Sequence, residues 1–150
     1  MKINITRISL SYSWMKLTRL LIVGLSMAMG GCMAQEMSVN VVVFNYTSSP
    51  LGDMVVQGKY VGGYFQAYGS GGTGGGIYCC IDVKPGAADV RWTYGGIEGA
   101  PRAGIQASST GKIPKPSGAY KYLGVHVYPE ERVEFTLTRD IPPEKKEGEP

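Results

Sequence analysis

Three cysteines, a single histidine and one glycine run hold what reactive potential this 150-residue sequence has. Cys32 follows an apolar run, Leu20 to Ala28, and then Met29-Gly30-Gly31. An apolar residue, two small residues and a cysteine match the bacterial lipobox, whose cysteine is diacylated. The small residues let the peptidase approach the backbone; Met29 stands where Leu is usual. Lys16 and Arg19 supply the positive charge of a secretory signal. The apolar run is shorter than the ~20 residues of a transmembrane helix. We therefore expect a signal peptide over residues 1–31, with Met15 a better-fitting start than Met1. Cleavage before Cys32 would leave diacylglycerol and a fatty acid on that residue.

Cys79-Cys80 are then the remaining thiols. In an oxidising compartment three fates are open to them: a vicinal disulfide, reduced thiols on opposite faces of a strand, or a bridge between molecules. Neighbouring strand residues point to opposite sides, so closing the bond requires a distorted backbone. A regular Ile77 to Val83 strand favours reduced, buried thiols. A metal site is not expected, since His126 is the one histidine and no C-x-x-C spacing exists. Gly69-Ser-Gly71-Gly-Thr-Gly74 fits G-x-G-x-x-G, but a β-branched segment follows where a dinucleotide site needs a helix N-terminus. No nucleotide cofactor is expected. His126 lies on a strand between Gly124 and Tyr128, and no G-x-S-x-G elbow is present. We expect a packed, hydrogen-bonded histidine, no catalytic residues and no enzyme.

The elements that would hold these residues read as strands. Ser38 to Tyr46 is apolar on both faces, as a buried strand should be. Met54 to Tyr60 reads as a second strand, and Asp89 to Tyr94 alternates, with Val90, Trp92 and Tyr94 on one face. Leu123, Val125 and Val127 alternate with Tyr122, Gly124 and His126, and Val133, Phe135 and Leu137 with Glu134, Thr136 and Thr138. That pair predicts a hairpin with one apolar face. Gly69 to Gly76 and the Gly-, Pro- and Ser-rich Gly95 to Gly118 read as loops. With 22 Gly and 9 Pro, helical architectures are excluded. The expectation is an all-β fold. It would be a small antiparallel β-sandwich or partly open barrel of about six to seven strands, preceded by a signal-peptide helix. The divisions are residues 1–31 signal, 32–37 lipidated tether, 38–139 β domain and 140–150 a mobile charged tail.

Formal charge is +3 for the whole chain. Cleavage would remove Lys2, Arg7, Lys16 and Arg19 and no acid, leaving a 119-residue chain of charge −1. Nucleic-acid binding, which needs a basic working surface, is not expected. Met33 after the anchor, rather than Asp, points to the outer membrane, facing the periplasm.

Several of these residues resemble a known family. Asn45-Tyr46-Thr47 after the first strand, Gly62-Gly63, and the glycine run entering Cys79-Cys80 look like its first half. Leu123-Gly-Val-His126-Val-Tyr128-Pro129, then Val133-Glu134-Phe135, look like its C-terminal hairpin. It is a family of small, uncharacterised proteobacterial lipoproteins. Some are encoded beside type VI secretion phospholipase effectors and are thought to be immunity proteins. The resemblance spans about Val39 to Pro143 and departs in the middle, where Gly95 to Gly118 replaces a Trp-rich segment with further cysteine. It implies a lipid-anchored binding protein with a phospholipase effector as partner. The alternative is a structural, envelope-maintenance lipoprotein. Candidate contacts are Tyr68, Ser70 and Thr73 by the glycine loop, Arg102 and Gln106 in the longer loop, and Tyr120, Tyr122, His126 and Tyr128. Tyrosine suits recognition because it offers area at low entropic cost.

Overall fold

A computed structural model describes residues 35–68 and 74–145. The expected signal peptide, Cys32, Ser70 and Thr73 lie outside the described residues. Among the described residues eight strands follow one another: β1 (Met37–Asn45), β2 (Leu51–Val56), β3 (Lys59–Tyr60), β4 (Gly74–Val83), β5 (Gly86–Tyr94), β6 (Gln106–Ile113), β7 (Tyr122–Val127) and β8 (Val133–Thr138). They form two four-stranded sheets, ordered β4-β1-β7-β8 and β3-β2-β5-β6. The fold is a small β-sandwich, as the alternating pattern predicts. Every pairing is antiparallel except β1 with β7, which run parallel.

The core lies between the sheets. Val39, Val41 and Val43 of β1, Leu123, Val125 and Val127 of β7, and Val133 and Phe135 of β8 meet Met54, Val56, Val90 and Trp92. β6 and β8 come so close that a Cβ on Gly111 would stand 2.7 Å from the Phe135 ring. Only glycine permits that approach of the two sheets.

Three expectations are corrected. Gly95 to Gly118 is not one loop, because Gln106–Ile113 forms β6 and pairs with β5 from Gly86↔Ile113 to Thr93↔Gln106. Ala107 and Ile113 turn inward while most of its other side chains stay at least partly exposed, which is what an edge strand with a wet outer face looks like. Second, Cys79 and Cys80 are neither reduced nor buried: they are exposed and bonded to each other. The strand is not regular there. Val39 pairs with Ile81 but Val41 with Tyr78, which leaves an extra residue on β4, and Cys80 has φ +66°. That bulge is the backbone distortion a vicinal bond needs.

Third, the segment after β8 is not loose over its described length. Pro142 is buried against Gly124, and the Lys145 N–H donates to the Tyr46 hydroxyl at 2.6 Å. Residues 140–145 therefore cross the outer face of the β1/β7 sheet as a strap, and that face is apolar and aromatic enough to hold them.

Register sorts the connections to two ends. Met37 pairs with Val83, Asn40 with Tyr122 and Tyr122 with Thr138. So β1 and β7 start, and β4 and β8 finish, at one end, the base. The Lys84-Pro85 turn carries β4 into β5 there, and the Gln57 side chain ties the β2–β3 turn to Lys84. At the opposite end gather residues 46–50, 61–68, 95–105 and 128–132. The described chain thus begins at the base, remote from these loops.

Candidate functional site

The loop end is held in place from beneath. Asn45, at the end of β1 and fully buried, donates its two amide hydrogens among the carbonyls of Ser49 (2.9 Å), Phe65 (3.2 Å) and Gln66 (2.9 Å). Its Oδ1 accepts from the Thr47 N–H (2.9 Å) and hydroxyl (2.8 Å). One side chain thereby fixes residues 47–49 against residues 65–66. A second brace joins residues 95–105 to the turn after β7. Arg102 donates to Glu131 at 2.6 Å and lies 3.7 Å over the Tyr94 ring. The turn itself, Pro129–Glu131, is a short 3-10 element with Glu130 and Glu131 at positive φ.

Between these braces is a pocket of about 300 Å³, lined by Tyr46, Thr47, Ser48, Ser49, Tyr68, Arg102, Pro129 and Glu130. Two large apolar side chains on the connections of this end are almost uncovered: Tyr64 is 85% exposed and Ile97 83% exposed. Uncovered apolar residues on braced loops are what a partner-binding surface offers.

Compared with protein-family models, curated proteins and solved structures, the chain matches none. The functional argument therefore rests on the residues and their geometry.

The candidate contacts divide. Tyr68 and Arg102 line the loop-end pocket, and Gln106 starts β6 at the same end, on a cleft it shares with Asp53 and Arg91. Tyr120 and Tyr122 sit at the base. His126 and Tyr128 are corrected: both are buried and cannot touch a partner. Sequence reasoning missed Tyr64 and Ile97. The signal was present: each follows a Gly-Gly pair, so each is an apolar residue set where a strand cannot continue.

His126 instead belongs to an aromatic ladder. Parallel β1 and β7 stand in register, Phe44 beside His126, and two residues on Tyr46 stands beside Tyr128. Phe44 and His126 stack with centroids 4.7 Å apart, Tyr46 and Tyr128 at 4.9 Å. The Arg132 guanidinium covers the Tyr128 ring at 4.1 Å. The Tyr46 hydroxyl accepts from the Lys145 N–H and lies within hydrogen-bond distance of His126 Nδ1, at 3.2 Å. His126 Nε2 pairs with the Thr136 hydroxyl at 3.0 Å.

Burial, opposed by the Lys145 N–H, pushes the Tyr46 phenol up to about 12, so it stays protonated. Burial, aided by the Lys145 charge and opposed by Glu134, lowers His126 from 6.5 to about 4. The unfolded chain thus binds a proton below about pH 6.5 that the fold refuses. Stability is complete above that pH and declines as pH falls toward 4. The urea midpoint should drop from pH 6.5 to 5, above the carboxylate range, and His126→Gln should flatten that slope.

Proposed function

We propose that this chain is an outer-membrane lipoprotein whose β-sandwich binds a protein partner in the periplasm. The partner we propose is a type VI secretion phospholipase effector, which the lipoprotein neutralises by direct binding as an immunity protein. The observation that carries the reading is the placement of braced loops, with Tyr64 and Ile97 uncovered, at the end opposite the start of β1. A chain anchored at Cys32 would hold those loops away from its attachment point. It would also keep the inhibitor concentrated at the membrane where a lipid-degrading toxin must work. The vicinal disulfide fits an oxidising compartment.

Two measurements test this reading. Labelled palmitate should enter the wild-type protein and not Cys32→Ala; label retained in that variant would contradict the anchor. The protein should co-purify with the product of the adjacent gene. Tyr64→Ala with Ile97→Ala should weaken that complex at least about tenfold, since buried apolar anchors dominate interfaces. Unchanged affinity in the double variant would place the contact elsewhere.

A further inference from the structure

The charges of the described residues are sorted along the long axis. At the base stand Lys59, Lys84, Lys112, Lys115, Lys121 and Arg139, all exposed, against Glu36, Asp82 and Asp140. Asp89 and Arg91 offset each other in mid-sheet at 3.9 Å. At the loop end Arg102, Arg132 and Lys145 face twice as many acids: Asp53, Glu98, Glu130, Glu131, Glu134 and Glu144. The base is therefore net positive by about as much as the loop end is net negative, and an ion pair there, Lys84 with Glu36 at 3.4 Å, is open to solvent.

The base also carries amphipathic residues. An open cleft of about 800 Å³ lies between the start of β7 and the residues after β8. It is lined by Tyr120, Lys121, Tyr122, Arg139, Asp140 and Ile141. Ile141 is exposed, and Lys121 Nζ lies 5.3 Å from the Tyr122 ring centroid. Tyrosine and long basic side chains beside an aliphatic tip are the composition that settles at a bilayer interface.

We propose that the base docks onto the anionic phospholipid headgroups of the membrane that anchors the chain, with the Tyr120–Ile141 cleft seating a headgroup. This rests on the lipid anchor at Cys32 proposed above. Five residue steps separate Cys32 from Met37, a reach of at most about 17 Å. A short tether of that kind keeps the base near the surface, and each basic residue held there is attracted by the negative surface potential. The acidic loop end is repelled by the same field. The result is an upright orientation with the loops aimed away from the bilayer.

The test uses the mature acylated protein, purified and reconstituted in vesicles of phosphatidylcholine with phosphatidylglycerol, the latter carrying a headgroup photo-cross-linker. Intact mass first reads the acyl chains; their absence removes the anchor and the proposal with it. With the chains present, adducts should concentrate on peptides bearing Lys84, Tyr120 to Tyr122 and Arg139, and spare Gly95 to Ile105. Yield should fall about fivefold for each positive charge removed, as in Lys121→Gln and Arg139→Gln, and should fall again at high salt. Acylated protein with adducts spread over both ends, or unchanged in those variants, overturns the docking and leaves the anchor standing. Protein–protein cross-links at the base in place of lipid adducts also overturn it, in favour of self-association.

Discussion

Asn45→Ala is expected to destabilise the domain by about 3–4 kcal/mol. The side chain is fully buried and satisfies three carbonyls and two donors of Thr47. The Ser49 carbonyl, the Thr47 hydroxyl and the Phe65 carbonyl keep second bonds, but truncation takes the Asn45 partner from the Gln66 carbonyl and the Thr47 N–H, and each such loss costs about 1–3 kcal/mol. Part of that loss is recovered as residues 47–49 relax, which caps the total. Asn45→Asp should be no better, because a carboxylate would face the carbonyls of Ser49, Phe65 and Gln66 with no hydrogen to give. The measurement is the urea midpoint at constant m-value. A loss under about 1 kcal/mol would mean that the loops hold themselves without Asn45. The same truncation should release the loop end and weaken partner binding even below the unfolding transition.

Gly124→Val is expected to cost about 3 kcal/mol, for the opposite reason of excess volume. A Cβ there would stand 2.4 Å from the Thr136 hydroxyl oxygen, 3.0 Å from His126 Nε2 and 3.2 Å from Pro142 Cγ. The first two are the ends of one hydrogen bond, and the third belongs to the strap. The substitution must break the His126–Thr136 pair, displace residues 140–145, or both. A Cβ on Gly118 meets nothing within 4 Å, so Gly118→Ala serves as a control that should stay within about 0.5 kcal/mol of wild type. Equal stability of the two variants would show that the strap is not packed as described.

The sequence made some of this fold legible and hid the rest for identifiable reasons. The β7–β8 hairpin was readable because Leu123, Val125 and Val127 and then Val133, Phe135 and Leu137 alternate with the period of a strand. β1 was readable as buried on both faces, but its parallel pairing with β7 was not. That pairing joins segments far apart in the chain and leaves no mark on local alternation. β6 was hidden because Gln106 to Ile113 turns only Ala107 and Ile113 into the core. The strap was hidden because its composition is charged, and one apolar residue, Pro142, does the docking. His126 and Tyr128, correctly assigned to the outer face of their sheet, are nonetheless inaccessible because Phe44, Tyr46 and Arg132 stack on them.

At the site, Tyr68 and Arg102 were within reach of sequence reasoning, since each sits in a glycine-rich connection. The Asn45 hub was not. Asn45-Tyr46-Thr47 carries no signal that its first residue would bond to Phe65 and Gln66, because that depends on which segments the sandwich brings to one end.

The most direct test of the central reading is survival. Cells would export the product of the adjacent gene to the periplasm, with and without this protein. The account predicts that the export alone kills, that the wild-type protein rescues, and that Tyr64→Ala with Ile97→Ala loses the rescue while remaining folded and acylated. Toxicity that the wild-type protein does not relieve, or rescue undiminished in the double variant, would contradict it.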